Sequence, residues 1–135
     1  MISVAEVMTP RDRLVVLGPD ATLWEARGLM ASNGIRHLPV VDGEHLVGLV
    51  SQTDLLVAQN SDSIRVREIM IRDVETIDVR TQIRHAALRM QRRKLSCLPV
   101  MQGDRLVGIV TDSDFLGIAI ALIEQMEEVE PEAQF

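Results

Sequence analysis

An internal repeat constrains the fold of this chain more than any other feature. Residues 37–54 and 97–114 align without a gap at an offset of 60, and 9 of the 18 aligned positions are identical. Each copy contains an apolar run, a glycine turn, a second apolar run and a polar end. Because self-similarity at a fixed period indicates a repeated structural unit, the chain is predicted to fold as two related halves.

The size of the chain favours two copies that share one fold. The chain has 135 residues, and each copy is too short to bury a large core alone. Apolar residues make up 47% of the sequence, as in folded globular proteins. Aromatic residues are scarce, whereas proteins that bind single-stranded nucleic acid usually stack bases on aromatic side chains. The core is therefore expected to be aliphatic.

The charge is concentrated at the C-terminus. Five of the 20 acidic residues lie after residue 116, where there is no Lys or Arg, so the body is nearly neutral and the tail acidic. Such a tail is typical of a solubilising end and, less often, of an arm that binds a partner. Cys97 is alone, so no intrachain disulfide can form. No signal peptide or membrane span is apparent, and a cytoplasmic location is expected.

The pattern of apolar residues predicts an α/β fold in which each copy has the order strand, helix, strand, strand, helix. The two copies are expected to pack through their sheets about a pseudo-twofold axis. The predicted boundaries are 1–60 for the first repeat, 64–121 for the second, and 122–135 for the acidic helix end and tail. The predicted strands are 13–17, 37–41, 45–50, 75–79, 97–101 and 105–110. The predicted helices are 3–8, 22–33, 55–59, 66–70, 81–94 and 115–128, with a polar linker at 59–63.

The sequence motifs resemble a known family. Val-Met-Thr-Pro, then Leu-Pro-Val-Val-Asp-Gly, then Gly-hydrophobic-Val-Ser/Thr-x-x-Asp are similar to a tandem of cystathionine-β-synthase (CBS) domains, also called a Bateman module. The resemblance implies a regulatory module without catalysis or a required cofactor. It also implies that AMP, ADP, ATP or S-adenosylmethionine binds in clefts between the copies. A stand-alone module that signals to an unknown regulated protein is expected.

The polar end of each copy supplies the first candidate ligand-binding residues. A carboxylate can accept hydrogen bonds from both hydroxyls of a ribose, and Asp114 lies at a predicted helix start with Thr111 three residues earlier. The family uses the matching Asp for the ribose and the matching Thr or Ser near the phosphates. In the first copy the matching residues are Asp54 and Ser51. The alternative is that these side chains only cap helices.

The residues before each Leu-Pro are the second group of candidates. The resemblance implies that they line the cleft and touch the base. In the first copy they include Arg36, which could bind a phosphate, and His37, for which the alternative is a packed, hydrogen-bonded histidine. In the second copy they are Ser96 and Cys97. Thr76 matches a family Thr near the ligand, whereas its counterpart Val16 offers no side-chain hydrogen bond. The tighter site is therefore expected to combine Thr76, Ser96, Cys97, Thr111 and Asp114.

Three function classes follow from these residues. The first is ligand sensing, and the second is a ligand-free structural or protein-interaction module. The third is nucleic-acid binding through the basic residues of helix 81–94. It is the least supported, because the body of the chain carries no net positive charge. The three histidines show no metal-ligand spacing. The last predicted helix carries more apolar surface than a small domain usually exposes, so a homodimer is expected; the residues are Leu116, Ile120, Ile123 and Met126.

Overall fold

The computed structural model describes residues 1–58 and 63–129. Within these ranges the strands are β1 (Thr9–Pro10), β2 (His37–Asp42), β3 (His45–Ser51), β4 (Ile77–Asp78), β5 (Cys97–Gln102) and β6 (Arg105–Thr111), and the helices are α1 (Leu23–Asn33), α2 (Gln52–Val57), α3 (Ile83–Arg93) and α4 (Asp112–Val129). Three short 3₁₀ helices span Val4–Glu6, Arg11–Arg13 and Val66–Glu68. Most of the predicted linker and the end of the acidic tail lie outside the described residues.

The two copies form matching antiparallel hairpins, β2–β3 and β5–β6. Each hairpin turns at a glycine with a φ of 63°, Gly43 in one and Gly103 in the other, where a side chain would strain the backbone. The strand register shifts at the same place in both, after Val40 and after Val100. The predicted repeat and the predicted α/β fold are thus confirmed at the level of individual pairings.

One six-stranded sheet joins the two halves. Its order is β2-β3-β6-β5-β4, with β1 also paired to β6. The two hairpins meet along their edges at the pair His45 and Arg105, beside which the Leu106 N–H donates to the Glu44 carbonyl at 3.0 Å. Helices cover the faces of the hairpins, as expected for strands with apolar residues on both sides.

The helices follow the predicted pattern with small corrections. Thr22 caps α1 by accepting the Glu25 N–H at 3.2 Å, and Gly34 ends it in the left-handed conformation. In α3 the N-cap is Gln82 and not the predicted Thr81. Ala86 is fully buried there, whereas the predicted Ala87 is only partly buried. The α3 prediction was thus wrong by one residue at these two points.

The predicted strand at 13–17 does not form. Residues 11–13 make a 3₁₀ turn, and only Leu17 pairs with β2, donating its N–H to Pro39 (3.2 Å) and accepting from Val41 (2.9 Å). Gly18 and Pro19 follow at once, and proline has no N–H with which to extend the pairing. The equivalent segment of the second copy is also short, since β4 has two residues.

Each core is completed by a segment from the other repeat. Val4 is fully buried in the core of the second repeat, and its N–H donates to the Thr81 carbonyl at 2.7 Å. Val66 is fully buried in the core of the first repeat and donates in the same way to Ala21 at 2.7 Å. The start of each copy has therefore crossed to the opposite half.

The remaining face of each hairpin lies against the other repeat. Leu38 and Val40 of β2 enter the first core, and Leu98 and Val100 of β5 enter the second. Because successive side chains of a strand point to opposite faces, the two fully buried prolines between them, at 39 and 99, point away from these cores and towards the boundary between the repeats. This inner boundary places the ends of β2 and β6 together.

Gly108 provides a test of the exchanged packing. A Cβ at this position would lie 2.6 Å from the Thr9 carbonyl oxygen and 2.6 Å from the Met8 sulfur. We expect Gly108→Ala to lower the free energy of unfolding by about 1–3 kcal/mol, as overpacking does. Urea unfolding monitored by circular dichroism measures this change.

Gly117→Ala is the matched control. Gly117 lies inside α4, and a Cβ there would meet nothing within 4 Å. Alanine is the better helix former, so this variant is expected to gain about 0.5–1 kcal/mol. Equal stability of Gly108→Ala and the wild-type protein would contradict the tight contact between β6 and the N-terminal segment.

Candidate functional site

A cleft of about 290 Å³ opens where the two repeats meet. The first repeat contributes residues from the stretch before Leu17 and from the start of β2, and the second contributes the end of β6 and the first turn of α4. The lining residues are Thr9, Arg13, Leu14, Val15, Gly34, Ile35, Arg36, His37, Ile109, Thr111, Asp112 and Ser113. The cleft is therefore built from both copies of the repeat.

An ion pair connects the two walls of this cleft. The Arg36 guanidinium donates to both carboxylate oxygens of Asp112, at 3.2 and 3.3 Å. The two side chains are 57% and 50% exposed, so water competes for both groups and the pair adds little stability. Arg36 was predicted as a site residue from the sequence, whereas Asp112 was not. The signal for Asp112 was its place directly after Thr111, at the start of a helix.

His37 joins the repeats by a second contact. Its Nε2 lies 2.8 Å from the Ser96 hydroxyl, which belongs to the other copy. Burial, followed by the nearby positive charge of Arg36, lowers the pKa of His37 below its usual 6.5, against the opposing effect of Asp112 and Asp54. At neutral pH the imidazole is therefore uncharged and part of a packed interface.

The carboxylates predicted to bind ribose cap helices. The Thr111 N–H donates to Oδ2 of Asp114 at 2.8 Å, and the Ser51 N–H donates to Oδ2 of Asp54 at 2.9 Å. Both carboxylates therefore make capping contacts, and their role in ligand binding stays a prediction. These contacts use one oxygen of each carboxylate, so capping leaves the second oxygen, Oδ1, available for a further hydrogen bond.

Cys97 is a packing residue in this structure. It lies at the start of β5, opposite Thr111, and is buried. Burial, together with the negative charge of Asp112, raises the pKa of its thiol to about 12. Because the thiolate is the reactive form, this thiol is inert near neutral pH.

The structure groups the predicted residues differently from the sequence analysis. Thr111 faces Arg36 and His37 of the first repeat, whereas Thr76 does not line this cleft. β5 separates β4, which follows Thr76 directly, from β6, which ends at Thr111. The structure therefore does not bring Thr76 into the cleft that Thr111 lines. Ser96 and Cys97 are not among the lining residues, although Ser96 contacts His37 and Cys97 pairs with Thr111.

The basic residues of α3 are partly engaged in structural contacts. The Arg89 guanidinium donates to the Thr76 carbonyl at 2.9 Å, and Arg93 pairs with Glu75 at 2.6 Å. Among the described residues there is no group of three or more His, Cys, Asp or Glu side chains placed to hold a metal ion. Within the same residues, none of the helices has the length and apolar character needed to span a membrane.

Comparison with known proteins identifies the family. The CBS domain family matches the chain twice, at residues 4–61 and 66–120, and these segments together cover most of the sequence. The chain belongs to the CBS-domain family. The two matches correspond to the two repeats, so this protein contains a CBS pair.

Solved structures of CBS pairs share the fold. AcuB from Vibrio cholerae, provisionally assigned to acetoin utilization, is 43% identical with a TM-score of 0.85, over 95% of this chain and 97% of that one. CBSX2 from Arabidopsis thaliana, solved in complex with AMP, is 27% identical with a TM-score of 0.81, over 90% and 98%. The CBS pair of MJ0100, solved with 5′-methylthioadenosine and S-adenosylmethionine, has the same identity, TM-score and coverage.

The curated relatives are often much longer than this chain. Inosine-5′-monophosphate dehydrogenase from Korarchaeum cryptofilum is 37% identical over 111 residues, which is 82% of this chain but 23% of the relative. The chain thus spans about a quarter of the length of that enzyme. The likeness concerns the CBS pair.

The half-buried His37 gives the CBS pair a predicted pH dependence. Because the pKa of His37 is lower in the folded state than in the unfolded state, the unfolded chain binds more protons. The contribution of neutral His37 to the free energy of unfolding is therefore complete above pH 6.5, and it is lost as the pH falls through the folded-state pKa. We expect His37→Gln to show a smaller loss of unfolding free energy than the wild-type protein between about pH 7.5 and 5.5.

His85→Gln is the control for this experiment, since His85 is exposed on α3. Urea unfolding at a series of pH values gives the slope for each variant. A wild-type slope retained in His37→Gln would show that His37 is not the group responsible.

Proposed function

We propose that this CBS pair is a ligand-sensing regulatory module that binds an adenosine-containing molecule in the cleft between its repeats. The observation that carries the proposal is the cleft itself, in which Arg36 and His37 of one repeat face Thr111 and Asp112 of the other. Binding of AMP by CBSX2, and of 5′-methylthioadenosine and S-adenosylmethionine by the MJ0100 pair, supports the same ligand class here.

The chemistry of the lining residues suggests how the ligand is held. The hydroxyls of the lining residues Thr111 and Ser113 would donate to phosphate. Asp114 is not itself in the lining but directly follows Ser113, and it would accept the ribose hydroxyls through the oxygen not used for capping. The backbone at residues 35–37 would contact the base. A ligand held by both repeats stabilises one relative position of the two hairpins, which a partner protein could detect.

The repeat offset predicts a second site. The residues that the first repeat contributes to the cleft have counterparts in the second repeat at an offset of 60. In the same way, Thr111 and Asp114 correspond to Ser51 and Asp54 in the first repeat. We therefore infer that Thr76, Ser96 and Cys97 serve a site that includes Ser51 and Asp54. In this arrangement the Thr76 hydroxyl contributes to the Asp54 site and not to the Asp114 site.

The proposal assigns no catalysis to this chain. CBS pairs also form part of longer enzymes, as the similarity to inosine-5′-monophosphate dehydrogenase illustrates, and there the pair covers only a fraction of the protein. We propose that this module acts through a regulated protein, without a required cofactor and in the cytoplasm. The engagement of Arg89 and Arg93 supports a structural role for the α3 basic face and gives no support to nucleic-acid binding.

A second copy of the chain is the proposed partner for α4. Leu116, Ile120, Ile123 and Met126 are 49–68% exposed, which is a large apolar surface for one small protein. The exposed Leu56 and Val57 of α2 add to the apolar surface of the module. We infer a homodimer that buries α4.

Ligand binding is tested by isothermal titration with AMP, ADP, ATP and S-adenosylmethionine. Asp114→Asn keeps a capping oxygen but loses the charge, so it is expected to weaken the tightest ligand by about tenfold or more. Asp54→Asn tests the second site in the same way, and Asp42→Asn, an exposed acid at the turn end of β2, is the control. Absence of binding for all four ligands would support the ligand-free interaction module instead.

The dimer is tested by light scattering at micromolar concentration. We expect the wild-type protein to have twice the mass of one chain and Ile120→Glu to have the mass of one chain, because a charge cannot be buried unpaired in an apolar interface. Gln125→Glu adds the same charge on α4 without removing an apolar side chain. A monomeric wild-type protein would contradict the homodimer.

A further inference from the structure

A groove of about 480 Å³ lies between α3 and the start of α4. Most of its lining is apolar, from Ala87 and Leu88 of α3 to Phe115 of α4. Apolar residues continue along α4 beyond the groove, where Leu116 and Ile120 are 63% and 49% exposed. In the part of the chain that the structure describes, a groove and a helix face are thus both open to solvent, and another apolar element could cover them.

The groove carries one unpaired positive charge. Two charged side chains line it, Arg84 and Asp112, and Asp112 is already paired with Arg36. Arg84 is exposed and makes no hydrogen bond or ion pair with any residue in the described ranges. The same is true, within those ranges, of Arg92 on the exposed side of α3. An element that fills the groove is therefore expected to be apolar along its length and acidic at the end beside Arg84.

The C-terminal half of α4 has this composition. Glu124, Glu127 and Glu128 are exposed, and the last turn of α4 contains no basic residue. Acidic side chains at a helix C-terminus are unfavourable, because the carbonyl end of a helix is already partly negative. The first turn of α3 has the opposite mismatch, since Arg84 and His85 lie at its partly positive end without an acid. Contact between these two helix ends would offset both unfavourable charges.

The length of α4 fits the groove. Leu116, Ile120, Ile123 and Glu127 follow at spacings of three or four residues, so they lie on one face of the helix. At 1.5 Å per residue this face is about 17 Å long, as is the whole of α3. An α4 that runs antiparallel to α3 therefore brings Glu127 level with Arg84.

The helix that fills the groove must come from another molecule. The first turn of α4 already forms one wall of the groove, through Asp112 and Phe115. Because α4 is one continuous helix from Asp112 to Val129, its C-terminal half cannot turn back into the groove beside its own start. A second copy of the chain supplies the same apolar and acidic helix without this restriction.

The first repeat lacks this combination of features. At the offset of 60, Trp24 and Ser32 take the places of Arg84 and Arg92. The helix equivalent to α4 is also short, since α2 ends at Val57. The charges therefore favour contact between the second repeats of two chains.

We infer that the C-terminal half of α4 from a second copy of this chain lies in the groove between α3 and α4, antiparallel to α3, with its glutamates beside Arg84. The inference rests on the homodimer proposed above and adds the surface, the direction and the charges that select the partner. The contact is reciprocal, because each chain of a twofold dimer supplies one α4 and one groove. The parallel direction is disfavoured, since it would bring the glutamates towards Asp112, whose N–H donates to Ser96 beyond the end of α3.

Two charge-reversed variants test this contact from its two sides. Glu127→Arg and Arg84→Glu should each weaken the dimer by about tenfold or more, because like charges then face each other at both copies of the contact. An equimolar mixture of the two variants should form a dimer as tight as the wild-type one, since opposite charges face each other at both contacts of the mixed dimer. Asp42→Arg reverses an exposed acid at the turn end of β2, and this matched control should keep the wild-type dissociation constant.

Sedimentation equilibrium of the full chain at a series of concentrations gives the dissociation constant of each variant and of the mixture. Unfolding temperatures measured on the same samples confirm that each variant is folded. Recovery of the dimer in the mixture is the result that a merely destabilised variant could not give.

The outcomes separate this inference from the proposed homodimer. If the wild-type protein is a dimer but both variants keep its dissociation constant, or if the mixture is no tighter than either variant alone, the α3–α4 contact is wrong and the homodimer stands. If the wild-type protein is a monomer throughout, both the homodimer and this contact are wrong, and a different protein would have to cover the groove.

Discussion

Contact between the inner faces of the two hairpins is the constraint on which the rest of this structure depends. Each hairpin is apolar on both sides, so one face packs in its own core and the other must be covered by the opposite repeat. The prolines at 39 and 99, between the strand residues that enter the two cores, are fully buried. The contact brings polar strand ends from different repeats to within hydrogen-bonding distance, as in His37 and Ser96. A cleft with walls from both copies is therefore a consequence of how the apolar faces of the hairpins are buried.

The sequence predicted the parts of this fold that depend on local chemistry. The glycine turns, the caps at Thr22 and Ser51 and the four hairpin strands follow from residues close together in the chain. The predicted strand at 13–17 failed, because a parallel bridge at the single residue Leu17 leaves almost no periodic signal. The sequence could not show which residues share a cleft, for a different reason. The offset of 60 relates Thr76 to its own copy, but nothing in the repeat shows that the first strand of one copy and the helix start of the other share a cleft.

The motif proposed to bind the ligand also has a structural role. Asp114 accepts the Thr111 N–H directly before α4, a contact that forms whether or not a ligand is present. Such a carboxylate is held in one orientation before the ligand arrives, so little side-chain entropy is lost on binding. Arg36 differs, because its side chain is 57% exposed and its ion pair with Asp112 is open to water. The proposed site thus combines a carboxylate in a capping contact with a half-exposed cation.

The exchange of the segments that contain Val4 and Val66 has a consequence for how such a pair can arise. A single repeat carrying its own N-terminal segment would leave its core incomplete, and it would have to trade that segment with another chain, as in a domain-swapped dimer. When two repeats are joined in one chain, the exchange of segments becomes intramolecular. A short linker then gives an effective concentration in the millimolar range. Tandem duplication therefore removes the dependence of folding on protein concentration.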